Sequence, residues 1–210
     1  MTEFDPGAEF DRQVQNLLDK GYPALTDMTR DNFMGLVAPL RDVAITGSER
    51  RPPSRAHVPF VLVIKDRLIN ANQLMPMTEL KRKAGFSIFE PDDIARFNAT
   101  HEVQLPERDA YLIFDVDRER ETLNLSPEKA VLTITERGKA PITVAEGIAF
   151  ITQYPDSSEK NNCFSLAASR CGDRRVPALW ISKGAPKLGW CWAGNPHTWL
   201  RTASCVGRAG

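Results

Sequence analysis

Apolar residues recur at helical spacing through the first 46 residues. Two sets each fall on one helical face: Phe10, Val14, Leu17 and Leu18, and then Phe33, Leu36, Val37, Leu40 and Ala44. Asp5-Pro6 is a typical helix start, and Gly21-Tyr22-Pro23 separates the two sets. The pattern therefore predicts a helical hairpin at the N-terminus.

The middle of the chain alternates between strand and helix patterns. Two apolar runs rich in β-branched residues, 58–64 and 110–117, predict buried strands. Glu90-Pro91 and Ser126-Pro127 can each begin a helix, and Gly138 can end the second. Thr143 and Glu146 have the spacing of a capping box, in which each side chain accepts a hydrogen bond from the other residue's backbone. This part of the chain is predicted to be a mixed α/β region.

The C-terminal part predicts a β-hairpin. Residues 176–182 and 187–193 are apolar runs on either side of the turn residues 183–186. With Ser182 opposite Lys187, the ring of Trp180 would cover the bare backbone of Gly189, and both faces of the strand pair would be apolar. We therefore predict an α+β fold that ends in an antiparallel hairpin or meander.

The same patterns suggest three segments. Residues 1–46 form the helical segment, residues 47–59 are a connector rich in proline and arginine, and residues 60–210 form an α+β domain whose C-terminal part is basic and rich in tryptophan and cysteine. We expect the connector to be exposed.

Charge is unevenly distributed although the formal net charge is zero. Residues 160–210 carry eight Lys/Arg and one acid, Asp173, for a net charge of +7, whereas residues 1–159 carry 19 basic and 26 acidic residues, for −7. A basic segment suggests an anionic partner, either a small molecule or nucleic acid. The alternative is that the two parts attract each other within one fold.

Targeting signals are not evident. The acidic start lacks the pattern of a secretory signal, and the longest uncharged apolar run is too short to cross a bilayer. We therefore expect a cytoplasmic protein with no membrane partner, whose cysteines are thiols. The sequence leaves the oligomeric state open.

Metal binding is not expected. Cys163, Cys171, Cys191, His197 and Cys205 are separated by 8, 20, 6 and 8 positions. Structural zinc sites usually contain a pair of ligands only two to four residues apart, and no such pair occurs here. We therefore predict no structural zinc, and we expect no cofactor.

The segment SRCGDRR, residues 169–175, permits two chemistries. Arg170, Arg174 and Arg175 could bind an anion through charge-assisted hydrogen bonds, while Trp199 or Trp192 stacks on a flat group of the same ligand. Alternatively, these arginines could pair internally with Asp173 or other acids, and the tryptophans could belong to the core. In that case the protein would be a structural or interaction protein.

Thiol chemistry is the third hypothesis. The arginines around Cys171 would stabilise a thiolate, and His197 could serve as its base if the fold brings the two together. Burial of Cys171 would exclude this role. We therefore consider three hypotheses, namely a module that binds an anionic ligand, a thiol-dependent enzyme, and a protein without a ligand.

Two motifs resemble the signature segments of an uncharacterised bacterial family of about 200 residues. They are RCGDRRVPALW at residues 170–180 and LGWCWAGNPHTWL at residues 188–200, preceded by TVAEG at residues 143–147. The resemblance covers nearly the whole chain and implies no activity, since none is established for that family. The chain departs from it at Arg201, where a glycine is expected.

Overall fold

The computed structural model describes residues 4–48, 51–118 and 120–210. Glu49 and Arg50 of the predicted connector, and residues 1–3 of the predicted helical segment, lie outside the described residues.

The N-terminal helices confirm the predicted helical hairpin, with one difference. The first helix is α1 (Pro6–Asp19), whose N-terminus is capped by the Asp5 carboxylate. The second arm consists of α2 (Tyr22–Leu25), α3 (Arg30–Val37) and α4 (Leu40–Gly47). The break between α3 and α4 falls at Pro39, which has no backbone N–H to continue the helix. The predicted apolar face is nevertheless buried across the break, as in Val37 and Leu40.

Four further helices lie in the rest of the described chain: α5 (Ala71–Leu74), α6 (Pro91–Ile94), α7 (Pro127–Glu136) and α8 (Val144–Gln153). Ser126 caps α7, and Gly138, with φ of 71°, follows its end as predicted. The capping box of α8 is present, with both Thr143 and Glu146 accepting their backbone hydrogen bonds. Local sequence rules therefore placed the starts of α6, α7 and α8 correctly, whereas α5 was not predicted.

The first sheet has the strand order β1-β6-β13-β7, and β14 also pairs with β6. Its strands are β1 (His57–Ile64), β6 (Ala110–Asp117), β7 (Ala140–Pro141), β13 (Ser204–Cys205) and β14 (Gly207–Ala209). The two predicted buried strands, β1 and β6, pair antiparallel along their length. The C-terminal strands β13 and β14 pair with successive parts of β6.

The second sheet has the order β12-β8-β10-β11-β4. Its strands are β4 (Phe86–Ser87), β8 (Cys163–Ser165), β10 (Arg175–Ser182), β11 (Ala185–Trp192) and β12 (Leu200–Thr202). Two small pairs complete the strands: β2 (Glu79–Leu80) with β3 (Lys83–Ala84), and β5 (Asn98–Ala99) with β9 (Ser169–Arg170).

Helix α8 connects the two sheets through the core. All ten of its residues are buried, and it packs against β1 of the first sheet. Toward the second sheet, the ring of Phe150 lies 5.8 Å from that of Phe164, and Gly147 lies against Leu166. A β-carbon at Gly147 would come within 2.2 Å of Leu166 Cδ2, so only glycine permits this close approach. The α1 side chains Phe10 and Leu17 belong to the same core.

A buried ion pair fixes the start of α8 to the C-terminal strand. Arg208 donates to both carboxylate oxygens of Glu146, at 2.7 and 2.9 Å. The Tyr111 hydroxyl donates to the same carboxylate at 3.0 Å. Burial disfavours the charged guanidinium, but these hydrogen bonds to Glu146 outweigh it, so the pKa of Arg208 is raised. The Glu146 side chain therefore caps the start of α8 and also binds that helix to the C-terminal strand β14.

Candidate functional site

The β10–β11 hairpin forms the centre of the basic C-terminal part. Its turn contains two residues, Lys183 and Gly184, with φ of 53° and 81°. Left-handed conformations at both positions are typical of a tight type I′ hairpin turn. The predicted register was therefore wrong by two residues, because Ser182 pairs with Ala185 and not with Lys187. A shift of two leaves every side chain on its predicted face.

The predicted contact between Trp180 and Gly189 is present although the two residues are not directly opposite. Gly189 pairs with Ala178, and the Trp180 ring reaches it diagonally, so that a β-carbon there would lie 2.3 Å from Trp180 Cη2. Leu179 and Leu188 on one face belong to the main core, and a smaller core with Cys191 covers the other face. The hairpin is therefore packed on both sides, as predicted.

Arg175 is engaged within the fold. Its guanidinium donates to both carboxylate oxygens of Asp93, at 2.6 and 2.8 Å, and its Nε donates to Asp173 at 2.9 Å. It also lies over the ring of Phe97, 5.4 Å from the centroid, and 6.0 Å from that of Trp190. These hydrogen bonds to Asp93 and then Asp173 raise its pKa. An external anion at Arg175 would have to compete with two carboxylates.

The other two arginines predicted to bind an anion, Arg170 and Arg174, differ from Arg175 and from each other in their partners and exposure. Arg170 Nη2 donates to the backbone carbonyl of Asp173 at 3.3 Å, while its Nε is buried and has no partner among the described residues. Arg174 is exposed, forms no ion pair within the described chain, and lies beside Gly194. Arg170 and Arg175 thus meet at Asp173, and Arg174 lies over the loop that follows β11.

Cys171 is half-buried, whereas the other three cysteines are buried. Its sulfur lies 3.8 Å from Arg175 Nη2. The backbone N–H of Arg175, and then the nearby Cys171 thiol, lower the pKa of Asp173 to about 2. Burial raises the pKa of Cys163 to about 11 and that of Cys191 and Cys205 to about 12. Cys171 is therefore the most accessible of the four cysteines.

Strand register separates His197 and Trp199 from this region. Arg175 of β10 pairs with Trp192 of β11. Further along β10, Leu179 pairs with Phe164 of β8, and Phe164 in turn pairs with Arg201 of β12. Trp199 consequently lies six residues from the level of Trp192, a distance of about 20 Å along the strands at roughly 3.3 Å per residue. His197 stacks on Trp199, with ring centroids 4.8 Å apart and an interplanar angle of 21°. Cys171 and His197 are therefore not brought together.

The two tryptophans predicted to stack on a ligand are both exposed, Trp192 by 45% and Trp199 by 40%. Trp192 also packs edge to face against Trp190, with centroids 4.8 Å apart, and the half-buried Trp190 contacts the main core. Trp199 instead presents its ring, with His197 stacked on it, at the start of β12. The two rings thus belong to separate surfaces.

Two arginines that the sequence analysis did not select lie near the Trp199 end of the sheet. Arg118 follows β6, and Arg201 is the central residue of β12. Arg201 does not have a positive φ, so this position does not require a glycine conformation. The two arginines are 83 residues apart in the sequence, and neither lies in a recognisable motif. Arg201 stood out in the sequence only as a departure from the family resemblance, and nothing in the sequence linked it to Arg118.

A cavity of about 360 Å³ lies beside Phe97, whose ring Arg175 covers. Its apolar lining includes Ile94 and Phe97 with the first turn of α8 at Val144, and its polar rim includes Asp66 and Asn98. The size and the mainly apolar lining are typical of sites for small molecules. Within the described residues, no group of three or more His, Cys, Asp or Glu side chains is placed to hold a metal ion. The absence of structural zinc stays a prediction.

These features define an α+β protein in which two mainly antiparallel sheets enclose a buried helix. None of the helices in the described residues is long and apolar enough to cross a membrane. The chain belongs to a family of unknown function, DUF5701, whose model matches residues 16–210. No curated protein and no solved structure matches the chain.

Proposed function

We propose that this protein is a binding module for an anionic ligand that carries a flat group, and that the flat group stacks on Trp199. The observation that carries the proposal is the exposed His197–Trp199 pair. Trp199 is 40% exposed although its ring is large and mostly apolar, and His197 stacks on one side of it. A ring fixed in this way is a platform for a base or another aromatic group.

Charge supports an anionic ligand. The segment that contains Trp199 has a net charge of +7 over residues 160–210. Arg175 and Arg208 in this segment are neutralised by carboxylates, but Arg174 and Arg201 form no ion pair within the described chain. The charge of these two arginines therefore lies at the surface of the second sheet, where it would attract an anion. This attraction would weaken as the salt concentration rises.

Titration of tryptophan fluorescence with AMP, polyphosphate and a single-stranded oligonucleotide tests the proposal. Trp199→Ala should weaken binding of AMP and of the oligonucleotide by roughly 1 to 3 kcal/mol, the usual contribution of one stacked base. Trp192→Ala is the matched control, because it removes a tryptophan of similar exposure from the other end of the sheet. Binding that is absent, or that Trp192→Ala and Trp199→Ala weaken equally, would contradict the proposal.

A further inference from the structure

We propose that Arg118 and Arg201 form a binding site for a tetrahedral dianion, either inorganic phosphate or the phosphate group of a monoester. Arg118, at the end of β6, contacts Ser157 and Glu159. Its neighbour Asp117 pairs with Ser204, three residues after Arg201, which brings the end of β6 beside the edge strand β12. Guanidinium donors at two positions can contact separate oxygens of such an anion.

Arg118 supplies a buried donor without an acceptor. Its side chain is only 4% exposed. Nη1 donates to the Ser157 carbonyl at 2.8 Å, and Nη2 donates to Glu159 Oε2 at 3.3 Å. These two hydrogen bonds hold the guanidinium in place. Its Nε, however, is buried and has no hydrogen-bond partner among the described residues, and neither has the nearby Ser157 Oγ. Buried donors without acceptors are costly, so an external acceptor would stabilise this arrangement.

Arg201 supplies a second guanidinium whose buried Nε has no acceptor among the described residues. Its neighbours Leu200 and Thr202 are buried, so Arg201 points to the opposite side of β12, where it is half-buried. Within the described chain it forms no ion pair and its buried Nε has no acceptor. A partly desolvated charge in this state is unusual, because buried charges are normally paired.

Two further arginines, Arg55 and Arg120, lie near the two side chains. Glu159 is shared between Arg118 and the exposed Arg55, whose Nη1 lies 3.4 Å from Oε1. Arg120 begins a short 3-10 helix (Arg120–Thr122), which contacts β12 because the Thr202 N–H donates to Thr122 Oγ1 at 2.9 Å. Burial, and then repulsion from Arg118, lowers the pKa of Arg201, and the attraction from Glu159 and Asp117 offsets this only in part. A bound dianion would offset that repulsion.

The anion site adjoins the proposed stacking surface. Exposure alternates from Trp199 to Leu200 to Arg201, so Trp199 and Arg201 lie on the same side of the chain. Residues i and i+2 of a strand are roughly 7 Å apart. A nucleoside monophosphate could therefore place its base on Trp199 and its phosphate on Arg201. This link rests on the proposed function, whereas the anion site itself is carried by Arg118 and Arg201.

The anion site is tested by thermal unfolding with sodium phosphate and with sodium chloride at equal ionic strength. We expect a saturable rise in Tm with phosphate only. Arg201→Gln should weaken phosphate binding about 10-fold or more, the effect of losing one charge-assisted hydrogen bond. Arg120→Gln should weaken it less, and Arg30→Gln, an exposed arginine of α3, should leave it unchanged. Equal Tm values in both salts, or an unchanged phosphate response in Arg201→Gln, would overturn the proposal.

Titration with inorganic phosphate, ribose 5-phosphate and AMP distinguishes the two sources of the anion. If AMP binds more tightly than the other two, and Trp199→Ala removes only this advantage, the site and the stacking surface act together. If all three bind with equal affinity, the anion site stands and the proposed stacking on Trp199 is wrong. If AMP binds and inorganic phosphate does not, the proposed stacking on Trp199 stands and the proposed anion site is wrong.

Discussion

Arg175 of β10 holds Asp93 of α6 through two hydrogen bonds, of 2.6 and 2.8 Å. The same guanidinium lies over Phe97, and Phe97 and Ile94 line the cavity of about 360 Å³. Arg175 thereby ties the basic hairpin to one wall of this cavity. An arginine that the sequence marks as a candidate anion ligand thus has a structural role in the fold.

Asp173→Asn should lower stability at neutral pH and have little effect near pH 2. The backbone N–H of Arg175 and the Cys171 thiol lower the pKa of Asp173 from 3.8 to about 2 in the folded protein. A carboxyl group whose folded pKa lies below its unfolded value stabilises the protein above the unfolded value, and this contribution is lost as pH falls through the folded value. Denaturant unfolding of both proteins from pH 7 down to pH 2 measures the difference. Glu136→Gln, at an exposed position of α7, is the control, and a deficit independent of pH would contradict the prediction.

Gly189→Ala should destabilise the fold. The added β-carbon would lie 2.3 Å from Trp180 Cη2 and 2.9 Å from Ile88 Cδ1, so the Trp180 ring must move. Overpacking of this kind costs about 1 to 3 kcal/mol. Gly207→Ala is the control, since no atom lies within 4 Å of its β-carbon position. Urea denaturation should show the loss for the first variant only, and equal stability of the two would refute the contact.

Arg208→Ala should destabilise the protein strongly. It would leave the Glu146 carboxylate, which is fully buried, without its cation. Removing one partner of a buried ion pair typically costs about 3 to 5 kcal/mol. Arg67→Ala breaks an ion pair with Asp109 in which the arginine is 57% exposed, and should cost about 1 kcal/mol or less. Calorimetric or urea unfolding of both variants tests this order, and similar losses would contradict it.

Cys171 should react with iodoacetamide before the other three cysteines. Cys163, Cys191 and Cys205 are buried, and burial raises their pKa to about 11, 12 and 12, which keeps them as unreactive thiols at pH 8. Mass spectrometry of the native protein should show one fast modification that Cys171→Ser abolishes. Uniform slow labelling would show that Cys171 is also protected. Selective labelling alone would not establish a thiol enzyme, because His197 lies elsewhere on the sheet.

Features that depend on neighbours in the chain followed from the sequence alone. The helix caps at Asp5 and Thr143 were recognisable because a cap and its backbone donors lie within a few residues of each other. The hairpin and its two faces followed from alternation of side chains. The register did not, because the turn length depends on whether Lys183 adopts a left-handed conformation, and that residue type does not indicate it.

The charged side chains show what only the tertiary structure decided. The sequence identified a basic C-terminal segment, but it did not show which arginines are already paired. Arg175 is neutralised by Asp93, 82 residues away, while Arg201 lies near Arg118, 83 residues away, and forms no ion pair with any described residue. Electrostatic interactions act over a few ångströms in space whatever the separation along the chain. The sequence therefore determined the local elements and the excess of charge, and the packing of the second sheet against the end of β6 decided which arginines of the described chain are paired with carboxylates.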